Sequence, residues 1–415
     1  MSENKMKILM VNKFLYPNGG SETYIFGVGR QLEQMGHQVQ YFGMEHPNRV
    51  VGNRAGIYTA SMDFHSGKLQ KLLYPFKIIY SREAARKITQ VLEDFSPDVV
   101  HLNNFNFQLT PSILYAIKRF VNKYKKSIRI VYTAHDYQWI CPNHMLQIPQ
   151  SGELCSRCRE GAFFNCTKYN CIHGSKLRSL LGSLEAKLYQ QLKTYRLVDT
   201  LICPSHFMEK MLLSNPLFQG KTVVIHNFID SMGKADKAEG NPGEYVLYFG
   251  RYAREKGIST LLKVCASLPQ IPFVFAGSGP LETEVKQLEN IKDMGFQPPE
   301  QLQKLIQNAR FVVFPSEWYE NCPFSVMEAQ SLRVPVLASD LGGTSELIQD
   351  GITGELFEGG DAEALKEKIR RLWEQPELCA AYAANCGSLP FDRLEEYCKK
   401  LMQVYTGGEI RQSNP

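Results

Sequence analysis

The sequence predicts an α/β protein of two domains, each built on a parallel β-sheet that helices cover on both faces. At 415 residues the chain is too long for one compact core and suits two domains of roughly 150–200 residues. Short apolar runs alternate with helical stretches along nearly the whole chain, a pattern typical of parallel sheets. A polar stretch rich in Gly and Pro at 231–243 interrupts the alternation, and we interpret it as the linker between the domains.

The first domain is predicted to span residues 1–230. Its strand candidates are short apolar runs: KILMVNKF (7–14), HQVQYFGM (37–44), PDVVHLNNF (97–105), RIVYTAHDY (129–137), VDTLICPS (198–205) and KTVVIHN (221–227). The stretch TYIFGVGRQLEQMG (23–36) is predicted to form the helix that follows the first strand. Helical stretches also separate the later strands, so the pattern predicts a Rossmann-like domain.

The second domain is predicted to span residues 244–390. Its strand candidates again alternate with helices and are EYVLYFGR (244–251), PFVFAGSGP (272–280), IKDMGF (291–296), RFVVFPSE (310–317) and VPVLASD (334–340). We therefore predict a second Rossmann-like domain and expect ligands in a cleft that the two domains face. The last helix, 391–405, is compatible with either domain and is able to pack back on the first.

Composition and charge indicate where the protein works and which kinds of partner it could meet. The N-terminus has no long apolar segment, and no apolar run approaches the ~18 residues of a membrane span, so we expect a cytoplasmic protein. The net charge of +5 combines +12 over residues 1–230 with −7 over the remainder. The basic stretches 68–87 and 118–129 are either solvated helix faces or a surface that meets anionic lipid or nucleic acid.

Two cations follow the first strand of the second domain. Arg251 and Lys256 lie in the loop before a helix, and Gly250 and Gly257 permit close approach of the backbone to a ligand. This combination suits a diphosphate, although an ordinary basic loop has the same composition. The Gly-x-Gly of AGSGP (276–280) lacks the third glycine of the dinucleotide fingerprint and is a weak indication of NAD.

Two carboxylates, Glu320 and Glu328, flank the start of the helix SVMEAQSL (325–332). One interpretation is a capping box formed by Ser325 and Glu328, with an acid that favours the helix dipole. The other is that both carboxylates bind one ligand, Glu328 through vicinal hydroxyls such as those of a ribose. Backbone N–H groups able to reach such a ligand belong to Asn321, Cys322 and Phe324.

Strand ends in the first domain also carry functional residue types. Gly19 and Gly20 follow the first strand and precede a helix, a combination suited to binding an anion. His135 and Asp136 follow another strand, where the histidine is as compatible with catalysis as with a structural role.

A cysteine-rich insertion is predicted at about 141–175. Its four closely spaced thiols predict a small tetrahedral zinc site that is structural rather than catalytic, with the ligands Cys155, Cys158, Cys166 and Cys171. An iron–sulfur cluster and reduced, unliganded cysteines are the alternatives.

Taken together, these residues resemble the GT-B glycosyltransferases of family 4, which are retaining enzymes that use nucleotide sugars. The resemblance covers nearly the whole chain and rests on the order and spacing of GGSE (19–22), TAHDY (133–137), PSHF (204–207), VVIHNFID (223–230), FGRYAREKG (249–257), AGSGPLE (276–282), the glutamates 320 and 328, and VPVLASDLGGTSELIQDGITG (334–354). The sequence departs from the family at NCPF (321–324), where members often have a glycine-rich run, and this leaves the donor sugar open.

The resemblance implies roles for the basic and glycine residues. Arg251 and Lys256 would hold the donor diphosphate and offset the charge that develops as it leaves. Gly19 and Gly20 would approach the phosphates, and His135 would lie near the anomeric carbon.

The resemblance also implies roles for the acidic segment. Glu320 would bind hydroxyls of the donor sugar and Glu328 those of the ribose, while the N–H groups of Asn321, Cys322 and Phe324 would contact sugar and phosphates. The co-substrate would be a nucleotide-diphosphate sugar. No catalytic metal is expected, because the sequence has no Asp-x-Asp and the two cations would replace it.

The acceptor would be a glycan or a lipid-linked sugar in the synthesis of a surface polysaccharide or glycoconjugate. In this family the N-terminal domain takes the acceptor, so its basic surface would contact anionic membrane at the inner face, through 68–87. Alternatives are a nucleotide-sugar epimerase on the same scaffold and, in another class, a zinc-containing nucleic-acid-binding protein. The second alternative leaves the residues of the donor site unexplained, so we expect no nucleic acid partner.

Overall fold

The computed structural model describes residues 5–61, 78–230 and 243–408. Of the predicted basic stretch 68–87, residues 68–77 lie outside the described residues, as does the predicted linker apart from Gly243. The chain divides into two compact units, Met1–Ile225 with Leu394–Pro415, and His226–Arg393. No helix within the described residues is long and apolar enough to cross a bilayer.

The first unit contains a six-stranded sheet in which every strand pairing is parallel. In chain order the strands are β1 (Lys7–Val11), β2 (Gln38–Phe42), β3 (Val99–Leu102), β4 (Arg129–Thr133), β5 (Thr200–Cys203) and β6 (Thr222–Val224). They lie in the order β2-β1-β3-β4-β5-β6. Because β1, β3 and β4 are neighbours, the loops that follow them start at the same edge of the sheet.

The described helices of the first unit cover this sheet. They are α1 (Gly20–Gln34), α2 (Arg82–Phe95), α3 (Ser112–Tyr124), α4 (Phe164–Lys168), α5 (Lys176–Gln191), α6 (His206–Leu212) and, at the end of the chain, α13 (Leu394–Thr406). A side-chain cap marks the start of α2, where the Ser81 side chain accepts a hydrogen bond from the Ala84 N–H.

The second unit repeats the arrangement with a second parallel six-stranded sheet. Its strands are β7 (Tyr245–Arg251), β8 (Phe273–Ser278), β9 (Ile291–Asp293), β10 (Ala309–Phe314), β11 (Val336–Ser339) and β12 (Gly354–Phe357), in the order β12-β11-β10-β7-β8-β9. Its helices are α7 (Ile258–Ser267), α8 (Glu282–Val285), α9 (Pro299–Gln307), α10 (Phe324–Ser331), α11 (Ala362–Glu374) and α12 (Pro376–Cys386). The two parallel sheets with flanking helices confirm the predicted α/β class.

The division between the units follows hydrogen bonds at both ends of the second unit. Asn227 Nδ2 donates to the Cys322 carbonyl at 2.7 Å, and Ile229 pairs with Arg393. These contacts place residues 226–230 with the second unit, whereas the sequence analysis drew the boundary after residue 230. Helix α13 belongs to the first unit, where Tyr397 lies within hydrogen-bond distance of Tyr24 (OH–OH 2.8 Å).

Candidate functional site

The loop after β7 carries both predicted diphosphate-binding cations. Arg251 is the last residue of β7, and Lys256 ends a short 3₁₀ turn. Gly257 then adopts a left-handed φ of +72°, and a Cβ there would lie 1.7 Å from the Pro315 carbonyl oxygen. Only glycine permits this approach, which holds Lys256 against the loop that follows β10.

Lys256 and Glu320 form an ion pair, with Nζ 2.5 Å from Oε1. The Ser316 hydroxyl donates to the same carboxylate oxygen at 2.8 Å, and the Gly343 N–H donates to the Glu320 carbonyl at 2.8 Å. Glu320 is only 6% exposed, so its charge depends on these protein partners. The Lys256 ammonium also lies 5.2 Å from the centroid of the Trp318 ring.

Arg251 differs from Lys256 in its surroundings. Its side chain is 67% exposed, and the ion pair recorded for it, with Glu255, is long at 4.0 Å. An exposed pair at that distance contributes little to stability. The Arg251 guanidinium therefore remains available to an incoming anion, while Lys256 is already positioned by Glu320.

The capping-box interpretation of Ser325 and Glu328 is wrong. Helix α10 is capped at Pro323, with no side-chain hydrogen bond, so Ser325 lies inside the helix and Glu328 is its fifth residue. No hydrogen bond or ion pair from the described residues engages the Glu328 carboxylate, and burial raises its pKa to about 7. A carboxylate kept in this state at the edge of a site suits a ligand that brings its own hydrogen-bond donors.

The segment between the two glutamates is fixed by the start of the second unit. The Asn227 N–H donates to the Cys322 sulfur at 3.3 Å, and the Phe324 ring packs edge-on against Phe228, with centroids 5.6 Å apart. The Cys322 thiol thus holds the loop, while Asn321 lies beside it with an intermediate exposure. The structure brings the predicted N–H donors together at the start of α10.

Sequence reasoning missed three residues in this region. Ser316 orients Glu320, and the Trp318 Nε1 and Thr344 Oγ1 atoms are buried without a hydrogen-bond partner among the described residues. Thr344 belongs to a sequence motif already recognised, and Gly342 before it has a φ of +66° that brings this loop against the Glu320 backbone. Trp318 gave no signal in the sequence, because its importance depends on packing under Lys256.

The glycines of AGSGP serve close packing between strand ends. A Cβ at Gly277 would lie 1.9 Å from the Gly250 carbonyl oxygen, and one at Gly279 would lie 2.4 Å from the Tyr252 carbonyl oxygen. This packing explains the pair of glycines without a dinucleotide.

The first unit has its own polar cluster after β1. Gly19 is the extended N-cap residue of α1, which begins at Gly20 without a side-chain cap. Glu22 in the first turn is buried, and its Oε1 accepts hydrogen bonds from Asn12 Nδ2 at 2.8 Å and Ser21 Oγ at 2.9 Å. The two predicted glycines therefore lead into a helix whose first acid is already satisfied by protein donors.

His135 is oriented by Asn103, whose Oδ1 lies 2.9 Å from Nε2. Asn103 Nδ2 donates to the carbonyls of Val11 and His101, which identifies Oδ1 as the acceptor and places the proton on His135 Nε2. Burial lowers the pKa of His135 to about 4, and the nearby Asp136 offsets only part of that effect. The ring is therefore neutral near pH 7, and Nδ1 is its acceptor.

Behind His135 lies a buried network that ends at α13. Tyr24 packs edge-on against His135, with centroids 4.8 Å apart, and its hydroxyl lies 3.1 Å from Thr133 Oγ1. His101 Nε2 lies 2.7 Å from Thr133 Oγ1, and His101 Nδ1 lies 2.7 Å from the Tyr405 hydroxyl. Burial lowers the pKa of His101 to about 3, so this ring is neutral as well.

Asp136, the neighbour of His135 in the TAHDY motif, has a different task. Its Oδ2 lies 3.1 Å from His144 Nδ1, and its Oδ1 accepts from the Gln138 N–H at 3.0 Å. Burial would raise the pKa of Asp136, but these interactions outweigh it and hold the pKa below its usual value. Asp136 thus orders the following loop through hydrogen bonds, and it acts on His135 only through its charge.

Five cysteines line one small cavity of about 10 Å³, namely Cys141, Cys155, Cys158, Cys166 and Cys171. The sequence analysis did not include Cys141, which lies 14 residues before Cys155 and has no close ligand spacing. Across the residues that the structure describes, no three His, Cys, Asp or Glu side chains are arranged to hold a metal ion. The predicted zinc site is therefore not supported, although its four cysteines do come together.

Two family models match the chain. The model described as Glycosyltransferase Family 4 matches residues 18–231, and the model described as Glycosyl transferases group 1 matches residues 233–386. The first match alone covers more than half of the chain.

Among curated relatives, the O-antigen chain mannosyltransferase C of Escherichia coli is 27% identical over 401 residues, with 92% of each chain covered. Alpha-D-kanosaminyltransferase of Streptomyces kanamyceticus is 31% identical over 156 residues, which cover 35% of this chain and 40% of the relative.

Solved structures share the fold. Sucrose-phosphate synthase of Thermosynechococcus elongatus has a TM-score of 0.69 at 17% identity, with 97% of this chain and 99% of that chain covered. HepE of Anabaena, solved in complex with UDP and glucose, has a TM-score of 0.64 at 17% identity, with 97% and 100% covered.

Proposed function

The chain belongs to glycosyltransferase family 4 and has the GT-B architecture, and we propose that it is a retaining enzyme of surface polysaccharide or glycoconjugate synthesis. It moves a hexose from a nucleotide-diphosphate sugar to a glycan or lipid-linked acceptor. The observation that carries this proposal is the pair of carboxylates around α10: Glu320 is held by Lys256 and Ser316, whereas Glu328 has no partner among the residues that the structure describes.

The second unit supplies the donor contacts in this proposal. Lys256 and Arg251 bind the diphosphate, and their charges offset the negative charge that develops on it as the bond to the sugar breaks. Glu320 accepts hydrogen bonds from the donor sugar, because its backbone and one carboxylate oxygen are already fixed. Glu328 accepts hydrogen bonds from the ribose hydroxyls, because none of the described residues supplies a donor to it.

The backbone at the start of α10 completes the donor contacts. The N–H groups of Asn321, Cys322 and Phe324 are proposed to contact the sugar and phosphates. They precede or begin a helix whose N-terminal N–H groups have no side-chain cap, an arrangement that favours anions.

We assign the acceptor to the first unit, which also contributes contacts to the donor. Gly19 and Gly20 serve the phosphates and His135 lies near the anomeric carbon, as the family resemblance implies. Neutral His135, held by Asn103, acts as a hydrogen-bonding group rather than as a cation. In a retaining transfer the acceptor oxygen bonds to the anomeric carbon on the face that the diphosphate leaves, and the acceptor proton passes to a phosphate oxygen.

The names of several relatives support a role in polysaccharide synthesis. They include an O-antigen chain mannosyltransferase and an amylovoran biosynthesis glycosyltransferase of Erwinia amylovora. We propose by analogy that the acceptor is a growing glycan or its lipid-linked precursor, and that the protein works at the cytoplasmic face of an anionic membrane.

A transfer assay tests the proposal. The purified protein is incubated with UDP-, GDP- and ADP-sugars and a panel of lipid-linked and free glycan acceptors, and the product linkage is determined by NMR. We expect one donor to give a product whose anomeric configuration matches that of the donor. An inverted linkage would contradict the retaining mechanism, and conversion of the donor to an isomer without acceptor would indicate the epimerase.

A further inference from the structure

Helix α5 (Lys176–Gln191) exposes leucines and buries small and polar residues. Its buried residues are Ser179, Gly182, Ser183, Glu185, Ala186 and Tyr189. On its open side, Leu177 is 67% exposed, Leu184 43% and Leu188 38%, and Leu192 just after the helix is 57% exposed. A helix on the surface of a water-soluble domain normally has the opposite arrangement, with apolar residues inside.

The exposed leucines form one continuous face. Leu177, Leu184 and Leu188 are separated by seven and four residues, which places them within about 40° of one another around a helix of 3.6 residues per turn. The neighbouring α4 adds Phe164, which is 49% exposed. We call these four residues, together with Leu192, the leucine face.

Contacts on the buried side fix the helix in this orientation. A Cβ at Gly182 would lie 2.5 Å from Ile172 Cδ1, so the helix packs closely there. The Ser183 hydroxyl donates to the Phe163 carbonyl at 2.8 Å, and Ser179 Oγ accepts from the Ile172 N–H at 3.0 Å. These contacts would be lost if α5 turned its leucines inward.

Lys and Arg residues flank the leucine face along the sequence. Residues 161–197 contain six cations, namely Lys168, Lys176, Arg178, Lys187, Lys193 and Arg196. The one acidic residue in this range is Glu185, which is buried and therefore does not neutralise the surface. An apolar helix face with flanking Lys and Arg is the arrangement of helices that lie in the headgroup region of anionic bilayers.

We propose that the leucine face of α5 is a membrane-docking surface that enters the interfacial region of an anionic bilayer. A second copy of the chain fits less well, because pairing two leucine faces would bring like-charged lysines and arginines together. The segment 62–77 is itself basic, with three lysines against one aspartate, and offers no charge complementarity either. The proposal deepens the membrane contact of the proposed function, and it places that contact on α5 rather than on 68–87.

Vesicle sedimentation tests the proposal directly. The full chain is mixed with vesicles of phosphatidylcholine alone or of phosphatidylcholine with 30% phosphatidylglycerol, at low and high salt. We expect binding to the anionic vesicles, weakened by salt, and a loss of about tenfold or more in the Leu184→Gln/Leu188→Gln variant. The Lys176→Gln/Arg178→Gln/Lys187→Gln variant loses the preference for anionic lipid.

A matched control uses exposed apolar residues of the second unit. Phe296 is 80% exposed and Ile352 49% exposed, so Phe296→Gln/Ile352→Gln removes comparable apolar surface away from α5. We expect this variant to bind vesicles like the wild type. Thermal melting of every variant confirms that it is folded.

Three results would overturn the proposal: no binding of the wild type to anionic vesicles at low salt, unchanged binding of the Leu184→Gln/Leu188→Gln variant, or a stable dimer in light scattering that this variant dissociates. Nucleotide binding is measured on the same preparations. A wild type that binds nucleotide but not anionic vesicles rejects the docking surface alone, whereas a wild type that binds no nucleotide contradicts the donor site of the proposed function.

Discussion

The polar clusters at the two sheet edges differ in how far the protein satisfies its own groups. In the first unit, His135 and Glu22 both have protein hydrogen-bond partners, and a buried network supports His135 from behind. In the second unit, Glu328 has no partner among the described residues and Arg251 is largely exposed. Protein groups thus satisfy the first cluster, whereas we propose that a ligand completes the second.

The largest effect is expected from Lys256→Ala, which breaks the ion pair with Glu320. It leaves the Glu320 carboxylate buried without its cation and removes a charge that we propose to face the leaving diphosphate. Because Lys256 is a quarter exposed, we expect a loss of about 2–3 kcal/mol in the free energy of unfolding. We expect a fall of at least about 10³ in kcat/KM, measured with saturating acceptor.

A double variant separates the two consequences. Lys256→Ala/Glu320→Gln removes the unpaired charge and should recover most of the stability in denaturant titrations, but none of the activity. Equal recovery of both would mean that the pair is structural.

Glu328→Gln should lower donor affinity without lowering stability. Replacing a poorly solvated carboxyl that has no partner among the described residues should leave stability unchanged or raise it. Donor affinity should fall about 10- to 100-fold, because an NH2 group replaces one of the two acceptor oxygens and the negative charge is lost. Calorimetric titration with the donor nucleotide and thermal melting measure the two effects. A variant that loses both stability and affinity would place Glu328 in the scaffold instead.

The pH dependence of the donor site follows from the same residue. The pKa of Glu328, raised by burial to about 7, makes the carboxylate available as an acceptor only as pH rises through 7. Donor affinity should therefore increase between pH 6 and pH 8. Stability without ligand should decrease over the range from the unfolded pKa up to about 7, because the folded state binds the proton more tightly than the unfolded state does. Glu328→Gln should flatten both profiles, and persistence of either slope would assign it to another group.

In the first unit, Asn103→Asp tests whether Asn103 positions His135. A carboxylate beside His135 Nε2 would stabilise the imidazolium and raise the pKa of His135 from about 4. We expect kcat to fall about tenfold, with a shifted acid limb in the pH–rate profile and an unchanged Kd for the donor nucleotide. A merely structural role would lower stability without moving the profile.

The smallest effect is expected from Tyr405→Phe in α13. It removes the hydroxyl beside His101 Nδ1 and leaves a buried ring nitrogen without a partner, at a cost of about 1–2 kcal/mol in the free energy of unfolding. Activity should change less than threefold, because the Tyr405 hydroxyl contacts His101 and not His135. A large loss of activity at unchanged stability would show that the network does more than support the site.

The sequence predicted the fold well because buried parallel strands have a strong local signature. The apolar runs at 7–14 and 244–251 contain the strands β1 and β7. Because the strands are parallel, the residues that follow them lie at one edge of each sheet. Lys256 and Glu320 were predicted individually, but their pairing was not, since it depends on the close packing of Gly257 against Pro315.

Other features depended on tertiary contacts that no local pattern carries. The capping-box interpretation was wrong because the N-cap of α10 is Pro323, two residues before Ser325. Cys141 joins the other cysteines through folding rather than through spacing, and the thiols do not converge on a metal site among the described residues. The leucine face of α5 was not predicted, because leucines at helical spacing ordinarily indicate the buried side of a helix.

The most direct test of the central claim is a thermal-shift screen of the wild type, Glu328→Ala and the exposed-residue control Glu367→Ala against UDP, GDP, ADP and their sugar conjugates. A ligand at a hundredfold excess over its Kd stabilises the folded state by about 2.7 kcal/mol. The account predicts that one nucleotide class raises the melting temperature of the wild type and of Glu367→Ala, and that Glu328→Ala loses the shift. A shift of equal size in Glu328→Ala, or no shift with any nucleotide, would contradict the assignment of the second unit as a donor site that its ligand completes.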